Sequence, residues 1–172
     1  MEYLGDNYVD AFALLLSEKS RIMIDIFQPF LYISHCTRLT ADLLQVYNDY
    51  KQPFYIYVQH INPISVNESN LTVQPIICSK HWTVIIGRLK ERIWKLYDSL
   101  PNPEHKNICY EVIKFIYEET EGAFTSNRIK WNLQTVYEIS TQTNNVDCRI
   151  FVCKYMEKAI LRRKVDWASY KD

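Results

Sequence analysis

The sequence predicts an α+β fold, a central and mainly antiparallel sheet with helices packed around it. Three observations carry this. Apolar residues recur at helical spacing near both ends of the chain. In the middle they run together at strand length. Two of those runs are joined by a short charged connection, the pattern of a β-hairpin.

In chain order, Val9, Phe12, Ala13 and Leu16 mark a first helix, with Asp6 or Asn7 as its N-cap. Leu43, Val46, Tyr47 and Tyr50 repeat that spacing after Thr40, a good capping residue. Phe54, Ile56 and Val58 then alternate with Tyr55 and Tyr57, a strand with both faces covered. The segment Asn67 to Asn70 reads as polar loop. Trp82 to Gly87 and Arg92 to Tyr97 are the two hairpin strands, joined through Arg88 to Glu91 and ending at Asp98. Pro101 and Pro103 break the chain and open a helix. Its apolar face is Ile108, Val112 and Phe115 or Ile116, and Gly122 ends it. Val136 to Ile139 is a further strand candidate, followed by a polar stretch, Ser140 to Asp147. Cys148 opens the last helix, whose inner face is Phe151 or Val152, Tyr155, Met156, Ala159 and Ile160. Arg162, Arg163 and Lys164 complement that helix's C-terminus.

Composition narrows the function. With 172 residues the chain suits one domain, expected to span 1–172. Twenty basic and 20 acidic side chains balance, so nothing in bulk charge favours nucleic acid or an anionic membrane as partner. Only three glycines occur, far apart, which excludes the clustered glycines of a P-loop or a dinucleotide-binding turn. No apolar run reaches the roughly 18 residues that span a bilayer. The start of the chain lacks the basic and apolar segments of a signal peptide, so the expected compartment is intracellular, nucleus or cytoplasm. Five cysteines without a CxxC argue against a disulfide framework. His35, Cys36, Cys78 and His81 suit zinc by residue type, but their spacing matches no zinc template, and neither metal nor cofactor is expected.

Chemistry concentrates at Cys148. A thiol at a helix N-terminus meets the positive end of the dipole and unpaired N–H groups, and both stabilise the nucleophilic thiolate. Adjacent Asp147 opposes this if its carboxylate faces the sulfur, or caps the helix instead. His81 starts one hairpin strand and Asp98 ends the next, which sets them side by side at one end of the sheet. A carboxylate beside an imidazole fixes its tautomer and supports its cation, and that pair activates a thiol. Gln142, in the polar stretch before the helix, is placed to offer an amide N–H to an oxyanion alongside the N–H of Cys148.

His81-Trp82, Asp98-Ser99 and the run Gln142-Thr143-Asn144-Asn145-Val146-Asp147-Cys148-Arg149-Ile150-Phe151-Val152-Cys153-Lys154-Tyr155 resemble the catalytic domain of the ubiquitin-like-protein proteases, the SUMO-specific (sentrin-specific) cysteine proteases. Pro75 before His81 fits, as does Tyr3-Leu4-Gly5-Asp6, where the family usually has W-L-x-D. The resemblance implies a papain-like fold of the ubiquitin-like-protein protease type and a cysteine peptidase that cleaves after the Gly-Gly tail of a SUMO-like modifier. It implies Cys148 as nucleophile, His81 as base and then acid, Asp98 as its orienting group and Gln142 as oxyanion donor. Trp82, Tyr3 and Asn144 would contact the substrate, Trp82 and Tyr3 as flat walls that admit only a tail without side chains. The expected partners are the modifier and its conjugates, with the protein itself monomeric.

Three departures qualify this. Arg149 stands where the family has Gly, Tyr3 replaces Trp, and the chain starts almost on that motif, as if truncated at its N-terminus. They motivate a second expectation, a weak or inactive protease-like domain that binds a modifier or partner.

Overall fold

The computed structural model describes residues 7–33, 69, 71–78, 81–88, 91, 93–119, 132–143 and 147–163. Helix α1 (Asn7–Ile22) is followed by strands β1 (Leu31–Tyr32), β2 (Leu71–Cys78), β3 (His81–Arg88) and β4 (Ile93–Tyr97). Helix α2 (Pro103–Glu119), strand β5 (Asn132–Thr135) and helix α3 (Cys148–Ile160) complete the described elements. The helix expected after Thr40, the strand at Phe54 to Val58, and Tyr3, Asn144 and Gly122 lie outside the described residues.

The five strands form one sheet in chain order. The sheet is mixed. The central pairings, β2 with β3 and β3 with β4, are antiparallel as expected, whereas β1 with β2 and β4 with β5 are parallel. The expected hairpin is present, with Val84 opposite Tyr97 and Arg88 opposite Ile93. Its turn is closed by the Glu91 N–H donating to the Arg88 carbonyl at 3.1 Å.

Strand β2 escaped the sequence reading because Pro75 sits inside it. The sheet tolerates this proline because β1 pairs only with Thr72 and Val73. β1 does not reach Pro75, so no N–H is asked of the proline on that edge, and on the other side it stands opposite Val84. The last strand is a correction. Asn132–Thr135 forms β5, and the expected strand at Val136 to Ile139 does not form. Only Leu133 of β5 is buried, so its composition is polar and carries little apolar signal. Beyond it Val136 still donates to the Leu96 carbonyl at 3.0 Å, Tyr137 turns outward and Ile139 returns to the core.

Both faces of β3 are covered. Trp82, Val84 and Ile86 pack with Val9, Ala13 and Leu16 of α1 and Val152, Tyr155, Met156 and Ile160 of α3. That single cluster sets α3 against β3, so the start of α3 meets the start of β3. The opposite face carries Thr83, whose hydroxyl lies 3.7 Å from Cys109 of α2. Arg162 is held by the loop after α1, donating through Nε to the Ile24 carbonyl at 2.6 Å. It thus ties the end of α3 to a neighbouring segment as well as following the helix C-terminus.

Gly87 faces Trp94 across the hairpin, and a Cβ there would lie 2.9 Å from Cη2 and Cζ3 of the indole. The buried indole therefore occupies the space a side chain would need. Gly87→Ala should destabilise the fold by about 1–3 kcal/mol, the usual cost of overpacking. Urea unfolding checks this, and an unchanged midpoint would show that Trp94 moves aside freely.

Candidate active site

The site is built where α3 begins. Asp147 occupies the N-cap of that helix but makes no side-chain capping bond, so the capping role considered for it is not realised. Cys148 follows as the first helical residue and is buried, 5% exposed. Burial pushes its thiol pKa up, but a hydrogen bond from His81, the N–H of Trp82 and the charges of His81 and Arg149 outweigh it, and the pKa lies below its ordinary value.

His81 is the first residue of β3. Its Nε2 hydrogen-bonds Asp98 Oδ1 at 2.8 Å. Burial disfavours the imidazolium, but the bonds to Asp98 and Cys148 and their charges favour it, raising its pKa to about 9. Asp98 follows the last residue of β4 and is almost wholly enclosed, 1% exposed. Burial raises its pKa, whereas bonds from His105, His81 and the Leu100 N–H lower it, and the lowering wins. The structure thus brings His81, Asp98 and Cys148 together as a thiol, an imidazole and a carboxylate in series.

Gln142 lies between β5 and α3, 7% exposed. Ser99 clamps it. The Gln142 N–H donates to the Ser99 carbonyl at 3.0 Å, and the Ser99 hydroxyl donates to Gln142 Oε1 at 2.9 Å. With Oε1 committed, Nε2 is buried with no hydrogen-bond partner among the described residues. A buried amide donor without a partner is costly, and an arriving oxyanion would satisfy it. The same segment is anchored to α3 by Tyr155, whose hydroxyl donates to the Ser140 carbonyl.

Trp82 is buried, 2% exposed, and carries the Arg149 guanidinium over its ring, 5.6 Å from the centroid. Arg149 therefore stacks on the tryptophan rather than extending into solvent. Cys153, on the same helix as Cys148, has its thiol pushed up to about 11 by burial, the opposite direction from Cys148.

Sequence reasoning missed His105. It lies in the first turn of α2, 5% exposed, and hydrogen-bonds Asp98 Oδ2 through Nδ1 at 2.8 Å. The available signal was the cap. Asn102 bonds the Glu104 N–H through Oδ1 at 2.9 Å, and Pro103 is the first helical residue, so Asn-Pro fixes where the helix starts. The roles of Ser99 and Tyr155 were also missed, although both residues stand within the motifs.

The chain matches the Ulp1 protease family, C-terminal catalytic domain, over residues 3–169. It is 26% identical to human Sentrin-specific protease 2 over 98 residues, which is 55% of this chain and 16% of that protein. The chain therefore spans about one sixth of this relative's length. The Chaetomium thermophilum Ulp1-like SUMO protease catalytic domain superposes with a TM-score of 0.66 at 17% identity, covering 98% of this chain and 65% of that one. The C-terminal Ulp1 protease domain in complex with Smt3, the yeast ortholog of SUMO, gives 0.58 at 21% identity, covering 88% and 63%. These likenesses establish the fold.

The opposed thiols and the raised imidazole predict a pH window. The thiolate–imidazolium pair should be populated from the lowered Cys148 value up to the His81 value of about 9. At neutral pH iodoacetamide should therefore label Cys148 well before Cys153, and His81→Ala should move the Cys148 labelling curve to higher pH. Peptide mass mapping of timed reactions reads both, and equal rates at the two cysteines would contradict the activation.

Proposed function

We propose, on the premise that this chain belongs to the Ulp1 protease family, C-terminal catalytic domain, that it is a thiol isopeptidase that cuts after the Gly-Gly tail of a SUMO-like modifier. The carrying observation is the Asp98–His81 pair set against a Cys148 thiol whose pKa is lowered at the start of α3.

The Cys148 thiolate attacks the carbonyl carbon of the modifier's terminal glycine. The oxyanion accepts hydrogen bonds from the Cys148 N–H and from Gln142 Nε2, the buried donor left without a partner. His81 passes its proton to the departing lysine amine, leaving a thioester. It then takes a proton from water as the water attacks the thioester, and the C–S bond breaks to release the modifier's carboxylic acid and restore the thiolate beside the protonated His81. Asp98 keeps the His81 Nε2–H engaged throughout, so the other ring nitrogen serves the sulfur. Trp82 forms one wall of the passage for the tail, with Tyr3 and Asn144 completing the substrate contacts. Selectivity for diglycine comes from exclusion, since flat aromatic walls leave no room for a side chain.

A second reading, a weakly active or inactive domain that binds a modifier, draws on one observation. The Arg149 guanidinium rests on the Trp82 ring, and that bulk lies beside the nucleophile. Arg149 acts in two opposed ways. Its charge favours the thiolate, and its volume obstructs the tail.

Incubation with SUMO, a NEDD-type modifier and ubiquitin, each carrying a C-terminal electrophile, should give a covalent adduct at Cys148 with the SUMO-like probe. Cys148→Ser should abolish cleavage with the fold intact, and Cys153→Ser should leave it largely unchanged. Gln142→Ala should lower kcat by about a hundredfold to a thousandfold. Adducts with none of the probes would remove the enzymatic reading in favour of the binding one.

Arg149→Gly should separate the two effects of that side chain. Labelling of Cys148 by iodoacetamide should shift to higher pH, while kcat/KM on the modifier rises by about tenfold as the obstruction goes. Steady-state cleavage at matched folding decides the point, and equal or lower kcat/KM would refute obstruction.

A further inference from the structure

Asp98 serves two histidines. Oδ1 accepts from His81 Nε2 at 2.8 Å and from the Leu100 N–H at 2.9 Å. Oδ2 accepts from His105 Nδ1 at 2.8 Å. The two imidazoles are also stacked, with centroids 4.9 Å apart and planes 12° from parallel. All three side chains are buried. From this arrangement we infer that His105 is a positioning residue of the active site, holding the Asp98 carboxylate by its second oxygen and the His81 ring by its face. The inference rests on the proteolytic reading above and adds a fifth side chain to Cys148, His81, Asp98 and Gln142.

Two motions would spoil the His81 geometry. The Asp98 carboxylate could rotate about its own bond, and the His81 ring could tilt as it gains and loses its proton. The bond to Oδ2 opposes the first, because rotation would break it and leave a buried carboxylate oxygen unanswered. The stacked ring opposes the second by filling the volume into which His81 would tilt. Asn102 and Pro103 set the start of α2, so the His105 position is fixed by the helix rather than by a loop. His105 acts through Asp98 and His81, so its loss should appear in kcat and leave KM unchanged.

The donor set also invites a metal reading, since one ligand atom from each of His81, Asp98 and His105 lies within 4.8 Å of the others. Geometry disfavours it. Near-parallel rings direct their nitrogens side by side, each onto its own carboxylate oxygen at hydrogen-bond length, whereas zinc needs nitrogens that converge on one point at about 2 Å.

Three substitutions separate the contributions. His105→Phe keeps a flat ring against His81 and deletes the donor. His105→Asn restores an N–H near the place of Nδ1 and deletes the stack. His105→Leu removes both. On the SUMO-like substrate we expect kcat to fall about tenfold in the Phe variant and about thirtyfold in the Leu variant, within the scale of a displaced catalytic group. The Asn variant should keep kcat within about threefold of the unchanged protein, and KM should hold in all three. The pH profile adds a readout that packing alone would not move. The titratable groups that interact with Asp98 are His81 from β3, Cys78 from β2, His105 and Cys109 from α2, and Tyr155 from α3. Loss of the His105 donor should let the carboxylate slip from His81, so the alkaline limb of kcat moves down. Iodoacetamide labelling of Cys148 in the same variants should move to higher pH, and this measurement needs no modifier.

Unchanged kcat and labelling curves in the Phe and Leu variants would overturn the inference. So would equal losses in Asn and Phe that track a fall in thermal midpoint, which would make His105 a packing residue. Stoichiometric zinc binding to the unchanged protein, lost in every variant, would assign the cluster to a metal. If the unchanged protein cleaves no modifier, the proteolytic reading fails by itself, and the labelling curves alone decide the role of His105.

Discussion

A carboxylate shut away from water must have its oxygens answered, and Asp98 organises its surroundings on that condition. Taking an ionised carboxylate out of water is prohibitive unless nearby donors replace the lost solvation. Asp98 finds them in three separate parts of the chain: His81 at the start of β3, the Leu100 N–H in the turn after β4, and His105 in the first turn of α2. The strand, the turn and the helix are therefore registered on one another by a single side chain. The deep burial that makes Asp98 demanding also leaves its bonds little water to compete with them.

The nucleophile arrives by a different kind of force. Packing of α3 on β3 is apolar, through Val152, Tyr155 and Met156 against Trp82, Val84 and Ile86. Nothing in that contact is catalytic, yet it brings Cys148 to His81 and to the Trp82 N–H. Ser99 and Tyr155 do the equivalent for the segment before the helix. One clamps the Gln142 amide, and the other holds the Ser140 carbonyl from α3. The activated thiol thus depends on a hydrophobic seam for its position and on polar bonds for its protonation state.

Arg149 shows a single substitution acting on both. At the second position of α3 its cation adds to the helix N-terminus in favouring the thiolate. Its guanidinium also lies on Trp82, the residue proposed to wall the substrate passage. On the proposed function, this position trades thiolate stabilisation against access.

Much of this was legible in the sequence because its causes are local. Alternation and a short charged connection determine the hairpin. Helical spacing after Cys148 determines α3. The order His81, Asp98, Gln142, Cys148 names the chemistry. The sequence did not reveal β2 or β5, whose identity as strands depends on their neighbours. Pro75 is tolerated because β1 pairs with Thr72 and Val73 and not with it, and β5 is held by β4 despite a polar composition. His105 escaped for the same reason. Nothing in its local pattern says that α2 will turn its first turn toward a buried carboxylate. Local preference and period are properties of a segment and can be read along the chain, whereas the second oxygen of Asp98 acquires its donor only when strand, turn and helix are packed together.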